Sequence, residues 1–277
     1  MSNETEPESS LEVAVADALE RGDGTDLAAL VRSLPSAPTE TRKTCVRRLK
    51  DAVAHDPTVV EPALERCEDL LTDGERSVRL TTAKLFVAVA ERDPDAVVPI
   101  APALSSRLAD EDEFYYVRAR SAEALGYLAL ENPAVAASPD VLADLRVGLS
   151  FDEPEVREKL AKALEFVARG DPGRLRHHVA SLSDHLDDEN DRVRYHLCTA
   201  LAVVGCEYPE PLVDGRAALL ARLSDENGFV RGRAAEALGL LARADGRGAT
   251  AVGTRGDERG RPAVRDEASH LRARRRR

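Results

Sequence analysis

Residues 188–209 read DENDRVRYHLCTALAVVGCEYP, and residues 225–246 read DENGFVRGRAAEALGLLARADG. Each stretch opens with an acidic turn, reaches Val-Arg five residues later, and places Ala or Cys five residues and Leu eight residues after the valine. The same spacing, once with Phe instead of Leu, occurs five times in steps of 39, 39, 37 and 37 residues. The five copies are Val78-Arg79, Val117-Arg118, Val156-Arg157, Val193-Arg194 and Val230-Arg231. Repetition with this period predicts a stack of helical repeats.

A second landmark fixes the limits of each repeat. A weaker sixth copy begins at Thr41-Arg42, and a proline stands 16 residues after Thr41 and after each of the next four valines. Four of these prolines follow Asp or Asn, which cap helices, and proline is favoured at the first helical position. Each repeat is therefore predicted to hold a first helix, from the proline to the acidic turn, and a second helix through Val-Arg. The predicted pairs lie near 25–54, 57–91, 94–131, 133–169, 172–206 and 209–243, after a capping helix at 11–21.

Two helices in 37 to 39 residues, with an acidic turn before Val-Arg, resemble the HEAT family and its PBS-lyase-like repeats. The resemblance implies an all-α superhelix of about six two-helix repeats. In this family the arginine after the valine usually pairs with a turn aspartate along the stack. The resemblance therefore implies a structural role for Arg79, Arg118, Arg157, Arg194 and Arg231.

The second helices have an apolar side and a mixed side. Positions 0, 4, 5, 8, 11 and 12 after the valine share one apolar sector, which predicts burial. On the opposite side, a mostly basic row three residues after the valine runs beside a partly aromatic row ten residues after it. Arginine beside aromatic residues is typical of interface anchors, so we expect partner binding along the concave surface. The predicted contact residues are Arg120, Lys159, His196, Arg233, Tyr127 and Phe166. Two alternatives are that the apolar row packs against the first helices and that the charges are simply solvated.

The repeat of Val117 carries an insertion that contains Phe114, Tyr115 and Tyr116, three of the ten aromatic residues of the chain. An exposed group of this kind predicts a contact point for a partner. The alternative is that one or two of the rings are buried under the turn.

The charge distribution divides the chain. The formal net charge is −11, but residues 243–277 hold 11 arginines and 5 acidic residues, a net of +6, which leaves −17 for residues 1–242. Gly246 occupies the position of the next expected proline, and Gly- and Arg-rich sequence follows. We therefore predict a disordered acidic N-terminus at 1–10, a solenoid at 11–245 and a flexible basic tail at 246–277. The acidic body disfavours nucleic acid, whereas the basic tail is a candidate for binding it.

Only five of the 39 basic residues are lysine, and acidic residues are in excess, which resembles proteins of salt-loving archaea. The alternative is a genome rich in G and C, which favours arginine codons. The chain has no basic, apolar leader at its start and no apolar run long enough to span a bilayer. These features predict a cytoplasmic protein that does not insert into a membrane.

The catalytic precedents of the family do not fit this chain. Deoxyhypusine hydroxylases, which resemble this architecture, bind di-iron through His-Glu dipeptides, and none of the six histidines precedes a glutamate. HEAT-like DNA glycosylases rely on Trp, and this chain has none. We expect no catalytic residue, no cofactor and no metal site, and we interpret the cysteines as reduced thiols.

The predicted function is a non-enzymatic scaffold or adaptor, with signalling as one candidate role. A protein partner would lie along the concave face of the second helices. The alternative is an accessory lyase-like or chaperone-like protein that acts on a chromophore or a client protein, because phycobilin lyases use related repeats.

Overall fold

The computed structural model describes the backbone of residues 10–253 and the side chains of residues 10–245. The described residues form helices and turns without a β-strand, so the predicted all-α fold is confirmed. The chain divides into two units, Met1–Ala242 and Arg243–Arg277. The acidic N-terminus predicted at 1–10 and most of the basic tail predicted at 246–277 lie outside the described residues.

The α-helices follow one another along the chain in pairs that match the predicted repeats. They are α1 Ser10–Arg21, α2 Gly24–Val31, α3 Thr39–Val53, α4 Pro57–Val60, α5 Leu64–Cys67, α6 Arg76–Arg92, α7 Ala101–Ala109, α8 Tyr115–Ala129, α9 Pro133–Ala136, α10 Pro139–Val147, α11 Pro154–Gly170, α12 Val179–Ser183, α13 Asp191–Glu207, α14 Arg216–Arg222 and α15 Gly228–Gly253. Short 3-10 segments lie at Leu34–Ser36, Glu61–Ala63, Glu68–Thr72, Asp95–Ile100, Gly148–Ser150, Pro172–Arg174 and Glu210–Gly215.

The second helix of each repeat is continuous, whereas the first helix is broken into short pieces. The second helices are α3, α6, α8, α11, α13 and α15. Additional prolines interrupt several of the first helices, because proline removes a backbone hydrogen bond and clashes with the preceding turn. Pro62 and Pro99 lie within 3-10 segments, and Pro139 starts α10 after a break. The single first helices predicted from the sequence are therefore wrong in detail, although their limits are close.

Consecutive second helices pack side by side in the order α3, α6, α8, α11 and α13. The repeated valines Val78, Val117, Val156, Val193 and Val230 are fully buried. Small residues allow the helices to approach closely. A Cβ atom at Gly126 of α8 would lie 2.7 Å from the Cα of Ala163 in α11, so that only glycine fits there. The second helices therefore form a tightly packed layer.

The last helix of the described chain crosses the boundary that was predicted for the solenoid. The boundary predicted at residue 245 lies inside α15, which continues to Gly253. Because Gly246 replaces the proline that begins a new helix in the earlier repeats, nothing in the chain stops α15 at this point. The backbone of residues 246–253 is helical, and the division of the chain into two units falls between Ala242 and Arg243, close to the predicted boundary.

An arginine–acid ladder connects the turns of successive repeats. Arg157 donates from Nε to Asp188 Oδ2 at 2.7 Å, and Arg194 donates from Nε and Nη2 to both oxygens of Asp225 at 2.8 and 2.9 Å. Arg194 also donates to the backbone carbonyl of Asp188 at 2.7 Å. Each aspartate in turn accepts a backbone N–H two residues later, which closes its own turn. One arginine therefore holds two adjacent turns together.

The same pattern extends towards the N-terminus. Arg42 pairs with Asp73 at 2.7 Å, and Arg79 makes a two-point contact with Glu113 at 2.7 and 2.9 Å. Glu113 comes from the insertion before Val117, and its side chain is almost completely buried. The insertion thus supplies the acidic group for this contact.

Arg118 is the exception within the ladder. Phe151 occupies the position that Asp188 occupies one repeat later, so Arg118 has no turn carboxylate to receive its guanidinium. Arg118 instead lies 4.8 Å from the centre of the Phe151 ring and donates to the carbonyl of Leu108 at 2.9 Å. A cation–π contact and a neutral acceptor replace the ion pair at this junction.

The ladder yields a stability prediction with a control inside the chain. Arg194→Ala leaves the buried Asp225 carboxylate without its principal partner, so we expect the free energy of unfolding to fall by about 3 kcal/mol. Arg231 occupies the same repeat position but, among the described residues, donates only to the carbonyls of Asp225 and Glu226 in its own turn. Arg231→Ala should cost about 1 kcal/mol or less. Urea unfolding followed by circular dichroism measures both, and equal losses would contradict the role of the ladder.

Candidate partner-binding surface

The side of the second helices that faces away from the core carries the residues predicted to bind a partner. We call this surface the second-helix face and define it by the residues three, six and ten positions after each repeat valine. On α8 these residues are Arg120, Glu123 and Tyr127, and on α11 they are Lys159, Lys162 and Phe166. These positions share one side of a helix because they are spaced by three and four residues.

Glu123 is the centre of the charges on this face. Its carboxylate is buried and accepts contacts from Arg120 at 2.7 Å, Lys159 at 3.3 Å and Lys162 at 3.2 Å. Burial opposes ionisation of Glu123, but the charges of Lys159, Lys162 and Arg120 outweigh it and hold the pKa below its ordinary value. Arg120 and Lys159 are therefore neither simply solvated nor an isolated basic row, because an acidic group from the same face binds both.

The two predicted aromatic residues lie together beside this cluster. The ring centres of Tyr127 and Phe166 are 4.9 Å apart, and the Lys162 ammonium lies 4.7 Å from the first ring and 5.3 Å from the second. Lys162 donates to the Tyr127 hydroxyl at 2.8 Å, and this hydroxyl donates to Glu91 at 3.1 Å. Both rings are half-buried, and Tyr127 packs against the core. The aromatic pair is therefore fixed in place while part of its surface is free for contact.

The other two basic residues of the row lie farther along the stack. His196 shares a hydrogen bond of 2.6 Å with the buried Glu165, which also contacts Arg169 at 2.5 Å. Arg233 pairs with Glu236 at 2.8 Å and lies 5.9 Å from the ring centre of Tyr195. Each basic residue of the predicted row thus has an acidic partner. These acids lie outside the third and tenth positions on which the prediction rested, although Glu123 stands three residues after Arg120 and Glu236 three residues after Arg233.

The aromatic insertion forms a compact group of its own. Phe114, Tyr115 and Tyr116 are all half-buried, and their ring centres lie 4.6 to 5.4 Å apart. Arg76 lies 4.4 Å from the centre of the Phe114 ring, and the Tyr116 hydroxyl is 3.4 Å from Glu155. The group lies at the N-terminal end of α8, apart from the pair formed by Tyr127 and Phe166.

The turn side of the stack is acidic. A groove of about 690 Å³ between two turns is lined by Asp188, Glu189, Asp191, Asp225 and Glu226, together with Arg194 of the ladder. Among residues 10–245, no three His, Cys, Asp or Glu side chains are arranged to hold a metal ion. Cys198 is fully buried at a small-residue position, and burial, with a smaller contribution from Asp225, raises its pKa to about 12. Its thiol is therefore protonated at neutral pH.

The sequence and the fold of this chain are similar to those of known repeat proteins. Residues 179–268 match the family model of HEAT repeats, and no curated protein matches the sequence. An engineered protein of the Northeast Structural Genomics Consortium is similar, with 20% identity and a TM-score of 0.62 over 85% of this chain and 97% of that one. None of the helices in the described part of the chain is long and apolar enough to cross a membrane.

Designed armadillo repeat proteins are also similar. One, solved in complex with the peptide (KR)4, has 20% identity and a TM-score of 0.60 over 84% of this chain and 100% of that chain. Another, designed for modular peptide recognition, has 20% identity and a TM-score of 0.61 over 84% and 100% of the two chains. The match to the HEAT-repeat model covers residues 179–268, and the likeness to these solved structures, at 20% identity, shows the all-α solenoid fold.

The depressed pKa of Glu123 predicts a specific acid sensitivity. A carboxyl group whose pKa is lower in the folded chain stabilises the fold above its unfolded pKa, and this contribution disappears as the pH falls through the folded pKa. We expect Glu123→Gln to make the free energy of unfolding fall less steeply between about pH 5 and pH 2 than in the unmodified chain. Urea unfolding at a series of pH values measures this slope. Glu131→Gln, at an exposed position near the end of α8, is the control and should leave the slope unchanged.

Proposed function

We propose that this chain is a non-enzymatic scaffold that binds a protein partner on its second-helix face. The proposal rests above all on the pair formed by Tyr127 and Phe166. Two accessible aromatic rings, held by Lys162 and Glu91, are organised before binding, so that a partner would lose little conformational freedom by contacting them. Aromatic residues surrounded by fixed charges are typical of the centres of protein interfaces.

The fold supports the same proposal. The solenoid displays one row of parallel second helices, and such extended surfaces commonly bind peptides or proteins. A designed neighbour of the same fold was solved with a bound peptide. We further infer an adaptor role, with signalling as the candidate process, and membership of the PBS-lyase-like group of HEAT proteins.

The setting that we propose is a cytoplasm of high salt concentration, and it is supported by the excess of acidic residues and by the small number of lysines. The arginine–acid ladder suits such a setting, because buried ion pairs are screened by salt much less than exposed ones. Binding through aromatic surface is also compatible with high salt, since it does not depend on long-range charge attraction.

The aromatic pair can be tested directly. Tyr127→Ala and Phe166→Ala each remove accessible ring surface, so we expect the affinity for a co-purified protein partner to fall by about tenfold or more. The measurement is quantitative co-purification at native salt, with helicity checked by circular dichroism. Val147→Ala, which removes an apolar group that is 60% exposed on α10, should leave the partner bound. Retention of the partner by both aromatic variants, with folding unchanged, would place its binding site elsewhere.

A further inference from the structure

The lysines of this chain are concentrated on one layer. All five, Lys43, Lys50, Lys84, Lys159 and Lys162, lie on the second helices α3, α6 and α11. Residues 1–242, which include these lysines, have a formal net charge of −17. Cations gathered on one layer of an acidic molecule create a local positive potential that the net charge conceals.

Two of the cations towards the N-terminal end of this layer have no acidic partner. Lys84 on α6 is exposed and forms no ion pair with any described residue. Partial burial of the Lys84 ammonium group and the charges of Arg120 and Lys50 lower its pKa. Arg47, at the equivalent position on α3, is also exposed, and its guanidinium contacts the Thr44 hydroxyl at 3.5 Å rather than a carboxylate.

The acidic groups nearby are already engaged. Asp51 contacts Lys50, Glu91 accepts from the Tyr127 hydroxyl, and Glu123 binds Arg120 together with two lysines. Helices α3 and α8 both pack against α6, and the charges of Lys50 on α3 and Arg120 on α8 act on Lys84, which forms no ion pair with a described residue. A cation that lacks a counter-charge and lies near other cations is unfavourable, and a negatively charged ligand would relieve that repulsion.

We propose that Arg47, Lys50, Lys84 and Arg120 form a cationic strip that binds a segment of the partner rich in Asp and Glu. The strip crosses α3, α6 and α8, and its α8 member Arg120 lies seven residues, about two helical turns, before Tyr127. This inference rests on the scaffold function proposed above and specifies the chemistry of the partner.

The geometry favours an extended acidic peptide over other anions. Neighbouring helices lie about 10 Å apart, so a ligand that reaches from α3 to the aromatic pair between α8 and α11 spans about 30 Å. An extended peptide covers that distance with about ten residues. A nucleic acid carries charge along a much larger surface and would meet the acidic remainder of the molecule, which repels it.

The test uses two fluorescein-labelled peptides of about ten residues, one alternating Glu with Leu and the other alternating Lys with Leu. Binding to the full chain is measured by fluorescence anisotropy in about 0.1 M salt, where charge attraction is only partly screened. We expect the Glu peptide to bind more tightly than the Lys peptide. Lys84→Glu should weaken binding of the Glu peptide by about tenfold, because it replaces attraction with repulsion at the centre of the strip. Arg66→Glu, an exposed charge reversal on α5 of the first-helix layer, should leave the affinity unchanged.

The outcomes separate this inference from the function on which it rests. Equal binding of the two peptides, or equal loss in Lys84→Glu and Arg66→Glu, would overturn the cationic strip. A phosphoserine peptide that binds while the Glu peptide does not would also overturn it, because the specified ligand is a carboxylate. If Tyr127→Ala releases the co-purified partner but Lys84→Glu retains it, the scaffold function stands and the acidic segment does not.

Discussion

The buried contact between an arginine of one repeat and a carboxylate of the next turn is the interaction on which this structure depends. A guanidinium placed in a repeat interface loses water, and only a partner with matched geometry compensates for that loss. Arg194 and Asp225 meet this condition through two short hydrogen bonds, and the Arg194 side chain also reaches the carbonyls of its own turn. The packing of helices determines how closely two repeats approach, whereas the ladder determines how their turns align.

The need for a partner to each repeat arginine explains two departures from the repeat sequence. The insertion before Val117 lengthens a turn, and Glu113, whose side chain is longer than that of aspartate, restores the contact to Arg79. At the next junction Phe151 stands in place of the acid. Arg118 therefore contacts the Phe151 ring and the Leu108 carbonyl instead of a carboxylate. The junctions on both sides keep their ion pairs, so that a single neutral contact is tolerated in the middle of the stack.

Most of the fold could be predicted because its determinants are local in the sequence. The valine-to-proline interval fixes the register, and the apolar sector of the second helices identifies the core face. The breaks in the first helices required attention to the additional prolines, among them Pro62 and Pro99. The contacts on the second-helix face were harder to predict. They join residues 31 to 39 positions apart, as in the pairs His196–Glu165 and Lys162–Glu123, and the spacing within one helix does not reveal which of them meet.

The pairing of nearly every cation on the second-helix face also bears on how such a surface selects a partner. An unpaired basic row on a strongly acidic protein would attract any anion and the acidic surfaces of other copies of the chain. Carboxylates such as Glu123 and Glu165 hold most of these cations in fixed positions and cancel most of their charge. The residual positive charge is then confined to Lys84 on α6 and Arg47 on α3. Selectivity on this face would arise because an acidic group and an apolar group must both be present at the correct separation.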